Sequence, residues 1–231
     1  MKRIVFSAVA LVAAIGVANA ADIRRPPPPA AKAPAYVAPL FTWTGFYLGA
    51  NLGYGWGSGS GTITAGGATG PVSGDGNGIF GGLQAGYNWQ AGALVFGVET
   101  DFQLSAGEGT LNGSAGGVTF TGTTKNEWFG TIRGRLGYAV DRWLFYVTGG
   151  GAYSHNTLSG TNSLGGAFSS SATGWSWTVG GGIEAALVNN WSVKGEYLYI
   201  DSPDKIPVPT GVAVSGSSES HLFRVGVNYR F

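Results

Sequence analysis

Two histidines are the first suspects for chemistry, and each follows a serine: Ser154-His155 and Ser220-His221. A serine nucleophile needs a base and a third group to orient that base, and Asp201 or Asp204 is close enough in sequence to supply it. Such a set would define a lipid-modifying enzyme. Serine is so abundant around both pairs, however, that its adjacency to histidine says little. Gly76-Asn77-Gly78-Ile79-Phe80-Gly81 spells the G-x-G-x-x-G of a dinucleotide site. That site requires a strand before it and a helix after it; here a polar stretch precedes and a strand-like pattern follows. Asp75, Asp201 and Asp204 are candidates for a surface cation, but no segment has the carboxylate density of a calcium loop. The absence of Cys removes thiolate metal sites and disulfides. No catalytic, cofactor or metal site is expected.

The informative charges lie elsewhere. Glu99, Asp101, Glu127, Glu184 and Glu196, with Arg133, Arg135, Lys194, Arg224 and Arg230, all fall inside segments where apolar and polar residues alternate. Five acids and five bases in such a setting point to ion pairing, not to catalysis. Their meaning depends on the elements that carry them.

The chain has 231 residues, 42 of them Gly, and only 11% are charged, against about 25% for an ordinary soluble domain. Yet 44% are hydrophobic and 13% aromatic, too apolar for a disordered chain. Ten prolines without Gly at every third position exclude collagen. A formal charge of +1 gives no basic surface for nucleic acid. Lys2 and Arg3, an apolar run from Ile4 to Val17 and Ala18-Asn19-Ala20 read as a signal peptide over residues 1–20. Losing it turns the formal charge to −1. Residues 21–42 form a Pro-rich arm whose four successive prolines, Pro26 to Pro29, favour a semi-rigid polyproline spacer. No later run is long and apolar enough for a transmembrane helix.

From residue 43 a period of two takes over. Phe46, Leu48, Leu52, Tyr54 and Trp56 alternate with Gly45, Gly49, Asn51, Gly53 and Gly55. Eight segments follow this pattern: 44–56, 79–89, 94–104, 127–139, 143–153, 175–187, 191–201 and 221–231. Each is about eleven residues long, enough for a tilted strand to cross a bilayer. Both faces of 143–153 are apolar, so its facing stays open. Segments 90–93, 140–142 and 188–190 read as tight turns, while 57–78, 105–124, 154–174 and 202–220 read as long loops rich in Gly, Ser and Thr. Short turns at one end and long loops at the other are the habit of bacterial outer-membrane barrels.

All ten strand charges sit on the polar face of their segments. A soluble sandwich would show the same local alternation, but aromatic residues on the apolar faces gather at both strand ends. Trp89, Tyr138, Trp191 and Phe231 mark the short-turn side; Tyr54, Trp56, Phe102, Trp128, Trp175, Trp177 and Tyr199 mark the other. Two such girdles match two membrane interfaces. Glycine is common on the polar face, as a narrow lumen requires. The reading is an all-β, eight-stranded antiparallel transmembrane barrel over residues 43–231, with short periplasmic turns, four long extracellular loops and the ten charges pointing into the lumen. Only closure satisfies every backbone polar group in hydrocarbon.

Trp43-Thr44-Gly45-Phe46-Tyr47-Leu48-Gly49-Ala50-Asn51-Leu52-Gly53-Tyr54 after a Pro-rich arm resembles the opening strand of the small outer-membrane immunogenic (surface antigen) proteins of Gram-negative bacteria, relatives of the OmpA-type eight-stranded barrel. Arg133-Gly134-Arg135-Leu136-Gly137-Tyr138 and the closing Val225 to Phe231 are similar to the same family. The resemblance implies a structural, envelope-integrity and surface-antigen role, often called porin-like, with no catalytic residues. It also implies that Tyr229 and Phe231 form a C-terminal aromatic signal read by the barrel-assembly machinery. The expected partners are that machinery, outer-membrane lipids and lipopolysaccharide. The main alternative is a small solute-conducting porin.

Overall fold

The computed structural model describes residues 41–65, 67–203 and 212–231. The signal peptide (1–20), nearly all of the Pro-rich arm (21–42) and Asp204 lie outside the described residues. Eight strands follow in order: β1 (Gly45–Ala65), β2 (Ala68–Ala91), β3 (Leu94–Ala115), β4 (Val118–Val140), β5 (Trp143–Asn162), β6 (Ala167–Ala186), β7 (Trp191–Pro203) and β8 (Val212–Arg230). Each pairs antiparallel with its sequence neighbours, and β1 pairs with β8 from Tyr47↔Arg230 to Ala65↔Val212. The sheet is therefore a closed barrel.

The apolar alternation puts Leu52, Leu83, Val98, Ile132 and Val225 on the outer wall, where each is more than half exposed. In water that surface would be untenable at this extent; in a bilayer it is the required solvent match. The strand with two apolar faces resolves plainly. Leu144 and Tyr146 of β5 point inward and are buried, whereas Trp143, Phe145 and Val147 point outward.

The turns on the short side use residues that tolerate a left-handed backbone. Asp141 has φ 51°, Gly92 has φ 63°, and Asn189 and Asn190 have φ 54° and 67°. Such residues match tight hairpin connections to the right-handed twist of the strands.

The opposite ends correct the sequence reading. Residues 57–78, expected as a loop, continue β1 and β2 as a paired ladder up to Ala65↔Ala68. Residues 105–124 likewise continue β3 and β4 to Ala115↔Val118, turning at Gly116 and Gly117. Residues 154–174 extend β5 and β6 to Thr161↔Ala167, and β8 already runs from Val212. The cause is that pairing needs backbone partners on each side, not an apolar face. Outside the bilayer the outward positions become Ser and Thr without interrupting the ladder.

β4 carries one irregularity that matters. Its register with β5 shifts between Asn126 and Trp128, so the inward and outward faces exchange above that point.

Candidate functional site

Among the described residues, reactive side chains concentrate in the lumen. At the short-turn end, Phe41 to Thr44 precede β1. Trp43, 1% exposed, packs against Val95, Leu144, Tyr146 and Ala186. Its backbone N–H donates to Gln90 Oε1 at 2.6 Å. Phe41 meets the Trp43 ring edge-on at 5.2 Å. The Arg230 guanidinium lies 4.5 Å from the Phe41 ring and 5.2 Å from the Trp43 ring. This is a stopper in the mouth of the barrel.

On the β1, β2 and β8 side of the lumen runs a chain of neutral amides. Asn51 Nδ2 donates to Gln84 Oε1 at 3.0 Å, and Gln84 Nε2 donates to Asn228 Oδ1 at 2.6 Å. Asn228 Nδ2 in turn donates to Glu184 at 2.8 Å, and Ser192 Oγ donates to the same carboxylate at 2.5 Å.

The charges follow. Arg135 pairs with Glu184 at 2.5 Å and places its guanidinium 3.5 Å over the Tyr146 ring. Arg133 contacts Glu99, lies 3.1 Å from Asp101, and sits 3.2 Å from Glu196 without hydrogen-bond alignment. Lys194 reaches Glu99 at 2.8 Å. Arg224 touches Glu196 at 2.5 Å, Asp101 at 3.0 Å and Glu99 at 3.3 Å. Tyr47 OH donates to Glu99 at 2.7 Å, and Tyr146 OH donates to Glu196 at 2.9 Å. All eight of these charged residues are buried. Burial of a charge is tolerated only with a partner and hydrogen bonds, and here four acids meet four bases. Glycine makes the room: a Cβ at Gly86 would collide with the Tyr47 ring, and one at Gly182 would lie 2.6 Å from the Tyr146 hydroxyl.

A second stopper caps the charges on the long-hairpin side. Phe80, Phe129, Leu198 and Leu222 are buried in one cluster, with the Phe80 and Phe129 rings 5.1 Å apart.

Two of the ten expected lumen charges do not join. Glu127 is exposed, because it falls at the β4 register shift and leaves the inward face; its carboxylate accepts a long bond from Thr157 Oγ1 at 3.4 Å. Arg230 is on the inward face but lies at the mouth, half-buried over Phe41 and Trp43 instead of against a carboxylate. One acid and one base drop out together, so the balance survives. Tyr146, Gln84, Trp43 and the Phe80 cluster were not anticipated from sequence.

The serine–histidine pairs point to opposite sides of the wall. Ser154 and Ser220 belong to the inward phase of their strands, His155 and His221 to the outward phase. His155 stacks on Trp128 with its Nδ1 3.1 Å from Thr173 Oγ1. His221 stacks on Trp56 with its Nδ1 2.7 Å from the Tyr197 hydroxyl. Both are girdle residues. Tyr229 packs on Trp191 and Phe231, and Phe231 N–H donates to Phe46 O at 2.9 Å.

A closed eight-stranded barrel with an apolar exterior, double aromatic girdles and an internal charge layer is an integral protein of the outer membrane. The chain belongs to the outer membrane protein beta-barrel domain family, whose model matches residues 7–231. It is 39% identical over 259 residues to the 31 kDa outer-membrane immunogenic protein of Brucella melitensis, covering 100% of both chains. It is 34% identical to the 22 kDa outer membrane protein of Rhizobium leguminosarum bv. viciae, covering 85% of this chain and 82% of the relative. Among solved structures, the outer membrane protein OprG from Pseudomonas aeruginosa superposes with a TM-score of 0.50 at 15% identity, over 81% of this chain and 96% of that one, a likeness of fold alone.

Proposed function

We propose that the protein is a sealed structural barrel that strengthens the outer membrane and displays its long hairpins at the cell surface as antigens, without catalysis and without steady conduction. The observation that carries this reading is the stacking of three obstructions along one axis: the Trp43 stopper, the eight-charge layer and the Phe80–Phe129 cluster. An eight-stranded barrel is just wide enough for side chains to fill, whereas diffusion porins use about 16 strands. The antigenic part of the reading draws on the name of the Brucella relative. In this role the assembly machinery inserts the chain by its C-terminal aromatic residues, and the short turns face the periplasm. Lipopolysaccharide surrounds the outer half.

The test is planar-bilayer recording of the refolded protein beside electrophoresis of unheated and heated samples. The closed form should migrate faster unheated and give no reproducible conductance step. Neutralising Glu99, Asp101, Arg133 and Arg224 together should raise conductance. A stable, ion-selective channel in the unmodified protein would replace this reading with the porin one.

A further inference from the structure

The outward face of the upper β3–β6 wall, beyond the girdle, forms a grid of hydroxyls. Thr110 stands opposite Thr123, Thr123 opposite Ser159, and Ser159 opposite Ser169, the last two hydroxyls being 3.3 Å apart. One step further out, Thr121 stands opposite Thr161. All six of these residues are exposed. Neighbouring strands lie about 4.8 Å apart and alternate residues about 6.6 Å apart along a strand. The hydroxyls therefore repeat in two directions, along and across the strands of the curved outer wall.

The base of the grid is aromatic. Trp128 and His155 stack 5.5 Å apart and nearly parallel, at 5°, and Trp175, 67% exposed, lies 5.6 Å from Tyr153. Flat rings below and hydroxyls above are the two kinds of contact a sugar chain uses: its C–H faces lie on rings and its hydroxyls exchange hydrogen bonds. The charges on this face favour the same partner. Lys125 is engaged by Glu108 at 3.2 Å, so among the described residues of this face no unopposed lysine or arginine is left to grip phosphate. Nor is this face suited to a protein partner, which would want aromatic or aliphatic anchors at its centre; above the girdle the paired strands offer Ser, Thr and Asn there.

We propose that this face of β3–β6 docks the uncharged sugar chain of the glycolipid that surrounds the barrel in the outer leaflet. The proposal rests on the outward orientation of the long hairpins. At that height, the molecules beside the wall are the sugars carried by the lipid, which is why the lipid-linked chain is the occupant.

The experiment refolds threonine-methyl-labelled protein into three kinds of vesicle: phospholipid alone, phospholipid with sugar-free lipid A, and phospholipid with full-length lipopolysaccharide. The methyls of Thr121, Thr123 and Thr161 should shift only in the third. A variant combining Thr121→Val, Thr123→Val, Ser159→Ala and Thr161→Val leaves the lumen untouched, and valine keeps the strand preference. It should retain full-length lipopolysaccharide about tenfold less well through purification, or about 1.4 kcal/mol, with lipid A retention unchanged. Shifts produced by lipid A alone would overturn the proposal in favour of phosphate recognition. Equal shifts from free polysaccharide would overturn the lipid-linked source, and a variant that retains lipopolysaccharide as the parent does would overturn the grid itself. Conductance measured on the same vesicles and a surface tag at Gly113 report separately on the sealed barrel and on its orientation.

Discussion

Replacing Arg135 with Met removes one charge from the lumen while keeping most of the aliphatic volume. Among the ion pairs described above, Glu184 has Arg135 as its one partner, at 2.5 Å, and the side chains are only 2% and 4% exposed. After the substitution Glu184 retains Ser192 and Asn228 as hydrogen-bond donors but no ion pair, and the lumen carries a net negative charge. Breaking a buried pair by removing one partner costs about 3–5 kcal/mol. The lost guanidinium contact with Tyr146, 3.5 Å from the ring centre, adds about 1 kcal/mol. The full effect should thus lie near the upper end of that range, unlike an exposed pair such as Lys125–Glu108, which contributes about 0–1 kcal/mol. The assay is urea unfolding of the barrel refolded in vesicles, followed by tryptophan emission and by loss of the fast-migrating form. Glu184→Gln added to Arg135→Met restores neutrality, so the double variant should be more stable than the two single losses combined, with a coupling of about 2–3 kcal/mol. Additive losses, or an Arg135→Met cost below about 1 kcal/mol, would refute the idea that the lumen is dry enough for charge balance to govern stability.

A tag inserted at Ser163 or Gly113 should be labelled on intact cells, while one at Asn189 should be silent until the outer membrane is opened; the reverse pattern would invert the barrel. Deleting Phe231 removes its hydrogen bond to Phe46 and its ring contact with Tyr229. Outer-membrane levels should fall and unfolded chain should collect in the periplasm, and unchanged surface levels would reduce this ring to one more girdle residue.

The membrane-spanning part of the fold was legible because its two environments impose a strict period of two, as in Phe46, Leu48 and Leu52 against Gly49, Asn51 and Gly53. The strand extensions were not legible. Ser58, Ser60 and Thr62 alternate with glycines, and with water outside no apolar face is needed to announce a strand. Charge facing was readable up to the first break in phase: Glu127 follows the alternation in sequence, but the β4 register shift turns it outward. The apolar stopper escaped notice because Phe80, Phe129, Leu198 and Leu222 look like interruptions on a polar face. The available signal was that a bulky apolar residue recurs on that face just inside the girdle of four different strands. Trp43 shares the inward phase of Gly45 and Tyr47, but the alternation gives only its facing, and its contacts alone reveal it as a stopper.

The lumen charges divide evenly along the chain. Glu99, Asp101, Arg133 and Arg135 come from β3 and β4; Glu184, Lys194, Glu196 and Arg224 come from β6, β7 and β8. The buried lumen charges of each half sum to zero, and each half holds some pairs of its own, Arg133 with Asp101 and Arg224 with Glu196. Yet Lys194–Glu99, Arg224–Asp101, Arg133–Glu196 and Arg135–Glu184 all cross between the halves. Either half therefore brings a balanced set of lumen charges, and the full set of partners exists only when the two meet in the correct register. A closure slipped by a single residue would turn these side chains toward lipid. The pairs that join the two ends of the chain are thus available to one closure alone, and any other leaves buried charge unmatched.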